Sequence, residues 1–221
     1  MQTTKWGPSG WNLFHNVAIS YVPSKENKII YRAFYECFKY ILPCKYCRES
    51  YALFFDSTPI DRFLVSSEQL FYWTYLMHNK VNNKLRKQGF LDTPNPSYSE
   101  IKKMYKEGCY NKCTYGDYII FIGCVVFNYG SIGNSKDCPP KCTQDAYKTF
   151  FDFLKFAFPS VHTRGLTKQD LKSNCNIVVW YFNDILVPLD KPNMKLFESY
   201  VNYFANFRAS CSQTTSCRLK L

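Results

Sequence analysis

The sequence predicts an all-α protein. Residues 1–104 read as a four-helix bundle with a short fifth helix, and residues 105–221 as a second, mostly helical domain. Three observations carry this reading. Apolar residues recur at three- and four-residue spacing through the first 90 positions. Capping and helix-ending residues bound those stretches. The connections between them are short, as neighbouring helices in a bundle require.

Each element follows in order. In "SGWNLFHNVAISY" Trp11, Phe14, His15 and Ala18 share one helix face, with Ser9 placed as N-cap. In "KIIYRAFYECFKYIL" Ile30, Phe34, Cys37, Phe38 and Ile41 do the same, and Pro43 interrupts. "CKYCRESYALFF" restarts a helix that "DSTP" ends. In "SSEQLFYWTYLMHNKVNNKLRKQG" Ser66 and Gln69 are spaced for a capping box, and Gly89 stands where a C′ glycine belongs. Residues 90–100 lead as a linker into the fifth helix. Past residue 105, loops rich in Gly, Pro, Ser and Asn separate helices expected near 117–128, 144–157, 175–187 and 193–207.

Composition narrows the function classes. The chain has 221 residues and a formal net charge of +11, spread without a dense basic block. That suits an anionic cofactor or partner and gives no footing for nucleic-acid binding. The N-terminus lacks the apolar segment of a signal peptide. The longest apolar run, residues 118–127, is half a transmembrane helix, so a soluble protein without a membrane span is expected. Against that background 11 cysteines are many. They point to metal binding, redox chemistry or an unusual oxidative route.

Cys44 and Cys47, in "ILPCKYCRES", could be half a zinc site, a disulfide staple or a redox dithiol. Zinc needs a second pair, such as Cys109/Cys113 or Cys138/Cys142. The apolar, helical surroundings of Cys44 do not suit a zinc knuckle, and no metal is expected. A redox pair gains from the helix start after Pro43, where free N–H groups and partial positive charge stabilise a thiolate. Such a dithiol needs an electron acceptor, and no thioredoxin-like βαβ pattern is present. An organic cofactor is the natural acceptor. Trp6, Gly7, Trp11 and His15 at one point, and Trp73, His78, Asn79 and Asn82 at another, offer ring faces and polar edges for a planar ligand. Lys84, Arg86 and Lys87 add positive charge for phosphates.

Taken together, Trp-Gly-x-x-x-Trp-x-x-x-His, Cys-x-x-Cys and Trp-x-x-x-x-His-Asn-x-Val-Asn-x-x-Leu, in this order over residues 6–90, resemble the Erv/ALR family of FAD-linked sulfhydryl oxidases. The resemblance implies a bundle around FAD, usually in a homodimer. It implies that thiol-containing proteins are the substrates and molecular oxygen the final acceptor, with hydrogen peroxide as product. Cys47 would lie against the flavin, and Cys44 would accept electrons from other thiols. His78, Asn79 and Asn82 would hold the adenosine half. Trp6, Gly7, Trp11 and His15 would pack around the flavin and its pyrophosphate, and Tyr98 would stand in for a downstream aromatic. Many members carry a structural disulfide where this chain has Tyr75 and Asp92, so that staple is absent. The layout, a short core with an added C-terminal domain, is similar to the large-DNA-virus, mimivirus-type members, which implies a viral protein of the host cytoplasm or virion.

Family members often carry a second, mobile dithiol that shuttles electrons. Cys138/Cys142 and Cys211/Cys217 are the candidates; Cys109/Cys113 reads as structural, and cross-pairing of 109/113 with 138/142 is the competing arrangement. Cys37 and Cys124 fall in apolar helical patterns and are expected to be buried and inert. The rival to an enzyme is a zinc- or disulfide-stapled interaction protein without redox turnover.

Overall fold

The computed structural model describes residues 2–107, 115–129, 139–158 and 165–172, with scattered positions from Ile177 to Phe207. Among them every regular element is helical: α1 (Thr3–Ile19), α2 (Lys25–Ile41), α3 (Lys45–Ser57), α4 (Ser67–Lys87), α5 (Tyr98–Lys106), α6 (Ile119–Asn128) and α7 (Lys141–Ala157), with short 3₁₀ turns between some of them. The all-α expectation holds. The helices expected at 175–187 and 193–207 lie mostly outside the described residues.

α1 packs on α4, α2 on α3 and α3 on α4, which closes the bundle; α5 lies across α1 and α4. The local chemistry explains the ends. Ser24 and Ser66 each accept a hydrogen bond from the backbone three residues on, which caps α2 and α4. Gly89, at φ +73°, ends α4. Its N–H donates to the Arg86 carbonyl at 3.0 Å, and the Phe90 N–H donates to the Leu85 carbonyl at 2.9 Å, a Schellman motif. α5 opens with a full capping box between Ser97 and Glu100.

One expected boundary is corrected. Ser9 does not cap the first helix, which begins six residues earlier and carries Pro8 inside it. Gly7-Pro8 reads as a break because proline removes a helical N–H. Tertiary packing overrides it: Ser9 Oγ donates to the Asp117 carbonyl at 3.0 Å and accepts from the Phe121 N–H at 3.2 Å. The first turns of α1 are thereby fastened to α6.

The core does not stop at residue 105. α6 covers α1, and α7 runs along α2. Phe34 of α2 stacks on Phe153 of α7 at 3.9 Å between ring centroids, and Phe38 faces Phe121 of α6 at 5.8 Å. A single apolar cluster joins all these side chains. No described helix is long and apolar enough to cross a membrane.

Candidate active site

The junction of α2 and α3 builds the dithiol. α2 stops at Ile41, and Leu42 leaves helical geometry ahead of Pro43. α3 restarts at Lys45 with Cys44 as its N-cap in extended backbone. Arg48 fixes the elbow. Its guanidinium donates to the Leu42 carbonyl at 2.7 Å, and its backbone N–H donates to the Cys44 carbonyl at 3.0 Å. Hydrogen bonds from the Cys47 thiol and backbone reach the Cys44 sulfur. They lower the Cys44 thiol to about 6, against burial that would raise it. In the reduced pair Cys44 is therefore the sulfur whose thiolate the surroundings favour. It is only 6% exposed, whereas Cys47, nearly one turn on, is half-buried. Exposure alone thus makes Cys47 the more accessible sulfur, the reverse of the order that the resemblance implies.

The second cluster joins α1 to α4. Trp11 and His15 are one turn apart on α1, and His78 and Asn82 one turn apart on α4. The Trp11 and His78 rings stack at 3.8 Å and 7°. His15 Nε2 lies 3.1 Å from His78 Nδ1, and His15 Nδ1 lies 2.8 Å from Thr74 Oγ1. Burial pushes His78 down to about 4. It also takes His15 well below the ordinary imidazole range, with His78 adding to the shift. Both rings are neutral at physiological pH. Tyr105 of α5 closes the cluster from the far side, 4.9 Å from His15, and its hydroxyl donates to Asn12 Oδ1 at 3.0 Å.

The remaining predicted residues divide. Lys84 reaches from α4 to Ser50 Oγ, one turn beyond Cys47 on α3, so it links the two clusters. Asn82 Nδ2 donates to Asn95 Oδ1 at 3.1 Å, and Asn79 stands half-buried beside His78. Trp6 is buried against Phe121, and its indole N–H meets no partner among the described residues. A Cβ added at Gly7 would meet none of the described residues within 4 Å. Trp73 is wholly buried behind the site, donating to the Thr58 carbonyl at 2.8 Å. Tyr98 sits on the N-terminal half of α4, where its hydroxyl donates to Glu68 and its ring meets Tyr72 and Tyr75. The structure does not bring it to the Trp11–His78 cluster.

Of the shuttle candidates, Cys142 is free and exposed at the start of α7; Cys138, Cys211 and Cys217 lie outside the described residues, as do Cys109 and Cys113. Cys37 and Cys124 are buried, as expected. Burial raises Cys37 well above the thiol range and pushes Cys124 up to about 12. Among the described residues no three His, Cys, Asp or Glu side chains stand together as a metal site. Sequence reasoning missed Arg48, Thr74, Asn95 and Tyr105. Thr74 carried one usable signal: it lies four residues before His78 on the same helix.

Comparison with known proteins identifies the family. The Erv1 / Alr family model matches residues 8–106. A probable FAD-linked sulfhydryl oxidase of Acanthamoeba polyphaga mimivirus is 40% identical over 85 residues, 37% of this chain and 59% of that protein. An FAD-linked sulfhydryl oxidase of African swine fever virus is 33% identical over 113 residues, 50% of this chain and 88% of that protein. The mitochondrial FAD-linked sulfhydryl oxidase of Saccharomyces cerevisiae is 36% identical over 86 residues, 38% of this chain and 44% of that protein. No solved structure gives a significant match. This chain therefore spans little over half of the mimivirus protein and most of the swine-fever-virus one. On the family model, these relatives and the helical bundle that carries the matched motifs, the chain belongs to the Erv1/Alr family.

Proposed function

We propose that this protein is an FAD-linked thiol oxidase that makes disulfides in substrate proteins and passes the electrons to molecular oxygen, giving hydrogen peroxide. One observation carries the reading: a dithiol at a helix N-terminus, with Cys44 held near 6, stands in the same bundle as the ring-and-imidazole cluster of α1 and α4.

The residues fit an anionic dinucleotide. Trp11 and His78 are both half-buried, so outer ring faces remain for stacking, although their direct contact leaves no slot between them. The Trp6 N–H, without a partner among the described residues, offers a donor. Among the described residues nothing packs at Gly7, and glycine inside a helix costs about 0.5–1 kcal/mol relative to alanine. A ligand passing close to the backbone supplies a reason for it. Asn79, Asn82, Lys84, Arg86 and Lys87 add polar edges and positive charge. When bound, FAD supplies a two-electron acceptor that returns the dithiol to its disulfide and hands the electrons to oxygen.

The chain's own residues perform the exchange. A substrate thiolate attacks the Cys44 sulfur of the Cys44–Cys47 disulfide; the S–S bond breaks and Cys47 departs as a thiolate. A second substrate thiolate then attacks the substrate sulfur of the mixed disulfide, which completes the substrate's disulfide and expels Cys44. Once Cys47 has taken up a proton, its thiol and the α3 backbone again stabilise negative charge on the Cys44 sulfur, which makes Cys44 a good leaving group in this second step. Attack at Cys44 rather than the more exposed Cys47 follows if bound flavin covers Cys47. In this reading residues 1–104 form the oxidase unit and residues 105–221 the added domain. Cys138/Cys142 or Cys211/Cys217 delivers electrons from bulky substrates. A homodimer would pair through faces other than those α6 and α7 cover. The viral relatives favour a viral protein of the host cytoplasm or virion.

A visible spectrum of the purified chain, and turnover of Cys47→Ser with dithiothreitol, test this. Flavin absorbance in both proteins, with turnover lost in the variant, is the expected result. Colourless protein with stoichiometric zinc would favour the interaction-module reading, and wild-type turnover in Cys47→Ser would remove Cys47 from the mechanism.

A further inference from the structure

Arg48 stands one residue past the dithiol and outside the motifs that carry the family resemblance. A cation there is ordinarily solvated, but this one is half-buried and turned back on its own chain. Two donors end on one oxygen. The Leu42 carbonyl accepts from the Cys44 N–H at 2.8 Å and from Arg48 Nη1 at 2.7 Å, one for each lone pair. The first bond closes a three-residue turn about Pro43, whose ring already fixes φ near the value such a turn needs. The Arg48 N–H also donates to the Cys44 carbonyl at 3.0 Å. Arg48 therefore grips the chain on both sides of Pro43.

This turn decides where the Cys44 sulfur points. It leaves Cys44 in extended backbone, φ −151° and ψ 123°, as the N-cap of α3. From there the sulfur meets the Cys47 thiol and the backbone N–H groups of Cys47 and Tyr46, which favour its thiolate. A swing at Leu42–Pro43 would carry Cys44 away from all three. Left alone, the turn rests on one neutral hydrogen bond; the guanidinium adds a charge-assisted one, about twice as strong.

Charge is not the link between Arg48 and the sulfur. The Cys47 thiol leads the shift of Cys44, while the Arg48 charge is felt by the buried phenol of Tyr147 in α7. The guanidinium accordingly lies on the α7 side of the junction. Tyr147 is itself fixed there, donating to the Val125 carbonyl of α6 at 2.7 Å. On the exposed side Lys45 and Glu49 face each other at 4.0 Å. Among the described residues no carboxylate pairs with Arg48.

We infer that Arg48 is a positioning residue of the dithiol: by clasping the Leu42 carbonyl it holds the Pro43 turn shut and keeps the Cys44 sulfur over the first turn of α3. Because Tyr147 walls the clasp, the region past residue 105 takes part in building the active site. The use of the dithiol in exchange rests on the thiol-oxidase reading; the clasp and its hold on Cys44 belong to the protein alone.

The test compares the full chain with Arg48→Met, which keeps the length and loses the donors, and with Arg48→Lys, which keeps a charged donor on a long stem. Two properties of the reduced protein are read without oxygen. One is the Cys44 thiolate, by ultraviolet titration as the difference from Cys44→Ser. The other is hydrogen exchange of the Cys44 amide, by NMR. In Arg48→Met the thiolate should appear about one pH unit higher, the worth of one hydrogen bond. The Cys44 amide should exchange about tenfold faster as the turn opens. Arg48→Gln, too short for the clasp, should do the same, and Arg48→Lys should restore part of both. An unmoved thiolate in the Met and Gln variants would overturn the inference. So would a thiolate that moves while the Cys44 amide keeps its protection, which would make Arg48 a source of charge and not a clasp. A wild type that holds no flavin and turns over no thiol, with both properties moving as expected in the variants, would remove the oxidase reading and leave the clasp standing.

Discussion

Cys44 shows how much a single residue's function depends on where its helix begins. Its position ahead of α3 was legible, because Pro43 and the restart of apolar periodicity mark the junction. The clasp that holds the junction was not. Arg48 reads as a surface cation, and nothing in its neighbours announces a bond back to the Leu42 carbonyl. Thr74 and Asn95 were hidden for the same reason: their partners come from other segments or from the helix backbone. The Cys44 environment carries a pH prediction. Its folded thiol is depressed from the ordinary range to about 6, so the reduced folded state gains stability from ionised Cys44. That gain is full above an ordinary thiol value of about 8.5. It shrinks as pH falls and is gone once pH passes below about 6. Ultraviolet titration of the reduced protein should show one thiolate appearing near pH 6, lost in Cys44→Ser. A wild type with no thiolate below pH ~8 would contradict the assignment.

Elements are held here by contacts where the resemblance implies a disulfide or where the sequence suggests a break. In place of a disulfide between α4 and the segment before α5, the Tyr75 hydroxyl donates to the Pro96 carbonyl at 3.0 Å, and Asn95 bridges Asn82 and Arg86. Glu68 completes the seam. Lys106, Tyr98 and Lys102 bond its carboxylate and hold it down near 2. α6 shows the limit of periodicity. "IIFIGCVVFN" is apolar all round, so no face could be assigned from sequence, and its burial on all sides is the reason. Its Gly123 is required by a close approach: an added Cβ would lie 2.1 Å from the tip of the Phe204 ring. Gly123→Ala should therefore destabilise the protein by about 1–3 kcal/mol, as overpacking does. Denaturant midpoints measure it. In Phe204→Ala the same glycine substitution should cost less, and equal costs in both backgrounds would show that the ring is not what Gly123 admits.

The order of helices in residues 1–104 follows from the sequence, but the way the rest of the chain completes them does not, because facing partners leave no trace in spacing. Phe34 and Phe38 look like ordinary bundle-core positions of α2, yet they pack against rings from α6 and α7. Ser9 and Gly10 of α1 are likewise shaped to α6: Ser9 bonds it, and a Cβ at Gly10 would stand 3.0 Å from Phe121. The region matched by the family model ends at residue 106, yet the apolar cluster that stabilises it runs on to α7. A chain ending at Glu107 should consequently fare badly. It would uncover several large side chains, each worth about 1.5–3 kcal/mol when buried, along two adjoining helices. The expected outcome is self-association or aggregation on light scattering, with a denaturant midpoint well below that of the full chain. A soluble, monomeric fragment with an undiminished midpoint would mean that α6 and α7 rest on a bundle already complete without them.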